Sequence, residues 1–120
     1  MKVYLAGPMR GYADFNFPAF HAAAAELRAA GYEVCSPAEH DNNSGFDPTG
    51  MKGDNAELGP SGFNLCAALA WDLDYVCNHA EGVVLLPGWE ASNGANAEQY
   101  AARAVGKPVM TLDEALGRST

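Results

Sequence analysis

Apolar residues fall into two kinds of run that alternate along the chain, short β-rich segments and longer Ala-rich ones. Val3, Tyr4, Leu5 and Ala6 form a short apolar run stopped by Gly7-Pro8, which predicts a buried strand feeding directly into a loop. Over 19–30 the residues Phe20, Ala23, Ala24 and Leu27 share one face, with Pro18 suited to a first helical turn and Gly31 to the stop. A second short strand is predicted over 32–35, ended by Ser36-Pro37, so this opening reads as one βαβ unit. Residues 38–63 are rich in Asp, Asn, Gly, Ser and Pro, show no countable period, and are expected to form one long loop covering a site. Asn64 is the candidate cap of the next helix, whose apolar members are Leu65, Ala68, Leu69, Tyr75 and Val76, with Trp71 beside that stripe and an end near Asn78-His79. The continuous apolar run 82–86, closed by Pro87-Gly88, reads as a central strand covered on both faces. An Ala-rich helix over 95–105 stopped by Gly106, a last strand over 107–112 and a short turn over 113–116 complete the pattern.

Strand and helix in alternation predict the α/β class: a small doubly wound, Rossmann-like or flavodoxin-like parallel sheet of about four to five strands with flanking helices. With 120 residues, 48% of them apolar and 18% charged, one domain over 1–120 is expected, and neither a disordered tail nor a fibrous repeat fits. The net charge of −8 disfavours a partner recognised by phosphate neutralisation, so neither nucleic acid nor an anionic membrane is an expected partner. Cys35, Cys66 and Cys77 are odd in number and lack ligand spacing, which argues against a disulfide framework or structural zinc and fits a reducing cytoplasm. No stretch approaches the ~20 apolar residues of a membrane span.

In a sheet of this kind the ligand crevice lies beyond the carboxyl ends of the strands, which directs attention to the loops after Ala6, Ser36 and Leu86. In the first of them Gly7 and Gly11 let the backbone approach a ligand, and Arg10 offers a planar fork for phosphate or carboxylate. Beyond the central strand, Ser92, Gly94 and Asn96 stand at a predicted helix start, where free N–H groups form a ready anion site, although ordinary capping accounts for Ser92 equally well. Glu98 lies in the first turns of the same helix, a position favoured by the helix dipole and also one from which a carboxylate beside a phosphate site can reach a sugar carbon. Asp72 and Asp74 are two residues apart and so on different faces, and only one of them can look into the crevice. Tyr4 is either core filler or a buried hydroxyl that requires a partner. His21, His40 and His79 show no metal-ligand spacing.

Taken in order, 3–11, the Asn16-Phe17-Pro18-Ala19-Phe20 helix start, Asp72, Leu85-Leu86-Pro87-Gly88-Trp89, Ser92-x-Gly94-Ala95-x-x-Glu98 and Gly106-Lys107-Pro108-Val109 resemble the nucleoside 2-deoxyribosyltransferase-like superfamily. The closer likeness is to its 2′-deoxynucleoside 5′-phosphate N-hydrolase branch and related small phage and bacterial proteins. The resemblance implies that Glu98 is a nucleophile that attacks C1′ and forms a covalent glycosyl-enzyme, that Tyr4 orients it, and that Asp72, or alternatively Asp74, assists the departing base. It also implies that Arg10, Ser92 and Gly94 cradle a 5′-phosphate, that Phe15, Phe17 or Trp89 stack on the base, and that neither metal nor other cofactor is required. Hydrolysis of a (deoxy)ribonucleoside 5′-monophosphate to free base and sugar phosphate is the function expected on this basis, with a homodimer or higher homo-oligomer as the assembly. Base exchange by a deoxyribosyltransferase, or nucleotide binding without catalysis, are the alternatives.

Overall fold

The computed structural model describes residues 1–118 and contains a four-stranded, all-parallel sheet in the order β2-β1-β3-β4. The strands are β1 (Lys2–Ala6), β2 (Glu33–Cys35), β3 (Gly82–Leu85) and β4 (Val109–Thr111). Pairing of Tyr4 with Cys35 on one side and with Val83 on the other places β1 at the centre, beside β3. From Val3 onward in β1 and throughout β3 the residues are buried and apolar apart from the Tyr4 hydroxyl, because both faces are covered.

Strand alternation divides the core into two layers. Val3, Leu5 and Val84 pack with Phe20, Ala23, Ala24 and Leu27 of α1 (Phe17–Ala29), the face expected from the sequence. Tyr4, Ala6, Val83 and Leu85 pack on the opposite side with Val76 of α4 (Leu65–Asn78) and with Ala95 and Ala102 of α5 (Asn93–Ala104). Asn64 caps α4 through a 3.0 Å bond from Ala67 N–H, and Ser92 caps α5 through a 3.1 Å bond from Ala95 N–H, as capping chemistry predicts. At the far end of α4 the Lys107 ammonium donates to the Val76 and Cys77 carbonyls at 2.8 and 2.7 Å, so the Lys of the Gly-Lys-Pro-Val segment closes a helix C-terminus. The chain finishes in α6 (Leu112–Ala115), where Thr111 and Glu114 form a capping box.

The segment 38–63 departs from the single loop expected. It contains α2 (Pro37–Asn43), a 3₁₀ turn at Asn55–Glu57 and α3 (Leu58–Ser61). The buried members of α2 are Pro37, Ala38 and Asp41. Its inward anchor at the i+4 position is thus a polar residue, and a hydrophobic period cannot register it. His40 lies on this helix and stacks on Trp71 of α4 at 3.5 Å between ring centroids. A second departure is α1, which begins at Phe17 after three consecutive left-handed residues, Asp14, Phe15 and Asn16. Each such residue costs about 1 kcal/mol or more, and local bonds hold the run in place. Asp14 N–H donates to Met51 O at 2.8 Å, Gly50 N–H to Asp14 Oδ1 at 2.7 Å, and the Asn16 amide to Pro8 O at 2.9 Å. The third departure concerns α4, whose apolar stripe is fully buried only at Val76, while Leu65 is 43% exposed. Leu65, Ala68 and Leu69 wall an open cavity instead of a packed core. Among the described residues no helix is long and apolar enough to cross a membrane.

Candidate functional site

The strand order reverses between β1 and β3, and the loops leaving these strands part there to open a crevice. Leu86 N–H donates to Ala6 O at 2.8 Å just beyond the strands, which holds the two loops together at their roots. Gly7 is required at this point, because a Cβ on it would lie 2.8 Å from Leu86 Cβ.

Three elements deliver polar side chains to the floor of the crevice. The Tyr4 hydroxyl, on β1 and with no exposed surface, donates to Glu98 Oε2 on α5 at 2.8 Å. Glu98 is itself only 6% exposed. Asp72 reaches the same point from α4, with its Oδ1 buried and without a hydrogen-bond partner. The Tyr4 hydroxyl therefore meets the partner that a buried phenol requires.

Burial and the charge of Asp72 raise Glu98 well above the ordinary carboxylate range. Burial pushes Asp72 up to about 6, against the lowering effect of hydrogen bonding to Tyr4 and Glu98. Burial and the two carboxylates likewise push the Tyr4 phenol upward, so it stays protonated as a donor. Two acids this close and this poorly solvated titrate together, as one unit. Both carboxyls are thus held toward their protonated forms, Glu98 at the more buried position.

Above this floor lies a cavity of about 340 Å³, within the range of small-molecule sites. Its polar lining includes Arg10, Ser92, Asn93 and Gly94. The Asn93 and Gly94 amides open α5 and have no hydrogen-bond partner among the described residues, leaving an anion site at the positive end of the helix dipole. Arg10 is the one Lys or Arg in the lining, and its guanidinium carries no ion pair or hydrogen bond among the described residues. Its apolar lining includes Phe17, Phe46, Leu58, Phe63 and Leu69. Glu98 and Asp72 stand in the same lining, so Glu98 and Arg10 share one cavity.

The sequence matches the model of a domain of unknown function, DUF4406, over residues 1–111. The chain belongs to the DUF4406 family. A comparison with curated proteins finds no match.

In this DUF4406 chain the cavity gathers most of the residues singled out from the sequence: Gly7, Arg10, Phe15, Phe17, Asp72, Ser92, Gly94 and Glu98 line it, and Tyr4 supports Glu98 from below. Asp74 is exposed and bonds to Asn78 at 2.8 Å, which leaves Asp72 as the aspartate of the site. Three residues fall outside. The Asn96 amide is consumed by the Trp89, Glu90 and Ser92 carbonyls, which tie the preceding 3₁₀ turn to α5. Gly11 gives its N–H to Gly53 O at 2.8 Å, so that donor serves loop anchoring and not a phosphate. Trp89 packs against the layer containing Tyr4 and Val83, away from the cavity. Phe15 and Phe17 are buried at 4% and 3% exposure and meet Phe46 edge-on, so they back the apolar lining.

The cavity also holds residues that patterning did not reveal, above all Asp41 of α2, together with Tyr12, Phe46 and Phe63. For Asp41 a usable signal existed: it lies five residues beyond Ser36, in a segment leaving the carboxyl end of a strand. The aromatic wall had none, because Phe46 and Phe63 sit in irregular sequence without a period.

Proposed function

We propose that this protein hydrolyses the N-glycosidic bond of a (deoxy)ribonucleoside 5′-monophosphate, releasing the base and a sugar 5-phosphate. The observation that carries the reading is the Tyr4-supported Glu98–Asp72 pair at the floor of the cavity whose rim presents Arg10 and the free amides of α5. It is supported as well by the nucleoside 2-deoxyribosyltransferase-like character of the family.

The phosphate binds between Arg10 and the Asn93 and Gly94 amides, the sugar lies over Glu98, and the base meets the apolar lining. Before attack a proton moves from Glu98 to Asp72, and the Tyr4 hydroxyl stabilises the carboxylate that forms. A Glu98 oxygen attacks C1′, the C1′–N bond breaks with its electrons going to the base, and Asp72 delivers the proton to the base nitrogen. Water then attacks C1′ of the glycosyl ester and gives a proton to Asp72, while Glu98 leaves as carboxylate. Atoms and charge balance, and the pair returns with one proton. A second copy of the chain assembled on α4 is part of the proposal, supported by Leu65 at 43% and Trp71 at 36% exposure beside the cavity rim.

Chromatography of ribo- and deoxyribonucleoside monophosphates incubated with the protein tests the activity. Release of free base that Glu98→Gln reduces on the order of 10³-fold or more is expected. Absence of base from every monophosphate refutes the proposal.

A further inference from the structure

One titratable group in the cavity has no part in the chemistry described above. Asp41 is 7% exposed, lines the cavity from α2, and its carboxyl makes no hydrogen bond among the described residues. Its oxygens are not among the sealed, unpartnered polar atoms of the structure; they open to the cavity, where a bound ligand can meet them. Phe46, Leu58 and Phe63, from the same stretch of chain, line the cavity with Asp41. Asp72, the acid assigned above to the departing base, is the charged group that acts on Asp41, which sets Asp41 on the base's side of the site.

We infer that Asp41 reads the hydrogen-bonding edge of the departing nucleobase, its carboxyl donating to an acceptor on that edge and accepting from the neighbouring N–H. The inference rests on the nucleotide reading above and adds the group that selects the base. Aromatic walls hold a flat ring but treat all bases alike, whereas a polar group that a bound ring covers penalises any ring that leaves it unpaired. The other charged groups lining the cavity are Asp72, Glu98 and Arg10. Burial, with a smaller contribution from the charge of Asp72, holds Asp41 up at about 7. At and below neutral pH it therefore keeps a proton and presents a donor and an acceptor side by side.

The test compares kcat/KM for the common nucleoside monophosphates with that for the monophosphate of unsubstituted purine, which has no exocyclic group on its edge, in wild type, Asp41→Leu and Asp41→Asn. Taking the ratio between proteins cancels the intrinsic leaving ability of each base. In Asp41→Leu the preference for the best natural base over bare purine should fall by roughly 10- to 100-fold. Asp41→Asn, which retains one donor and one acceptor, should keep most of the preference. Asp41→Leu should also raise Tm, because an unpaired buried acid has been removed. Should Asp41→Leu not fold, Asp41→Ala carries the same comparison. An unchanged ratio, or an equal loss for every base, overturns the inference while leaving glycosidase activity standing, as does a lower Tm with an unchanged ratio. A wild-type protein that releases no base from any monophosphate overturns the activity, and this inference with it.

Discussion

Replacing Asp41 with Asn should change how stability depends on pH, and the structure sets both the sign and the size of the effect. The carboxyl is raised from 3.8 to about 7, chiefly by burial. Between those values the folded protein holds a proton that the unfolded chain has released, so folding is fully favoured at low pH and weakened as pH rises toward 7. From pH 5 to 7 the two units correspond to about 2.7 kcal/mol at 1.36 kcal/mol per unit. Water reaching the carboxyl through the cavity reduces this to roughly 1.5 kcal/mol. A 120-residue chain loses about 4 °C in Tm per kcal/mol, giving a loss of roughly 6 °C. The amide of Asp41→Asn does not titrate, while Glu98 and Asp72, also raised, contribute with the same sign in both proteins. Thermal melts of the two proteins from pH 5 to 8 should accordingly diverge in favour of the Asn variant by about 6 °C. Parallel curves across that window would show that Asp41 titrates as an ordinary exposed aspartate, and the argument from its burial would fail.

Other perturbations follow from the same geometry. A Cβ at Gly53 would lie 2.4 Å from Tyr12 O, at a φ of +90°. Gly53→Ala should therefore cost more than ~2 kcal/mol in a thermal melt and, by releasing the loop that carries Arg10, raise KM for a monophosphate. Tyr4→Phe removes the 2.8 Å bond to Glu98 and should lower kcat roughly 10- to 100-fold with little change in KM, as read from steady-state kinetics. Arg10→Ala should raise KM for monophosphates by a similar ~10- to 100-fold while leaving unphosphorylated nucleosides unaffected, because the guanidinium meets only the phosphate.

Much of the architecture was legible because β1 and β3 are continuous apolar runs and α1 buries a periodic apolar face, each bounded by glycine, proline or a capping residue. Where a period was broken, the cause was an inward polar group, an open cavity or a distant contact. α2 turns a carboxyl inward at Asp41, α4 faces an open cavity with Leu65, Ala68 and Leu69, and the start of α1 passes through a left-handed run held by contacts from residues 50 and 51. Those contacts are long-range, and no local window contains them. At the site, Glu98 and Tyr4 stood out as polar groups on elements that had to be buried, and they prove to be bonded to one another. Asn96 and Gly11 illustrate the opposite case: their residue types suit phosphate binding, but backbone carbonyls, of the preceding turn for Asn96 and of the distant Gly53 for Gly11, take their donors.

The most direct measurement is intact-protein and peptide mass spectrometry of the protein quenched by acid during turnover of a nucleoside 5′-monophosphate. The account predicts a transient adduct with the mass of the sugar phosphate, localised to the peptide containing Glu98 and absent from Glu98→Gln. Base release with Glu98 unmodified at every time point, or an adduct on another side chain, would contradict it.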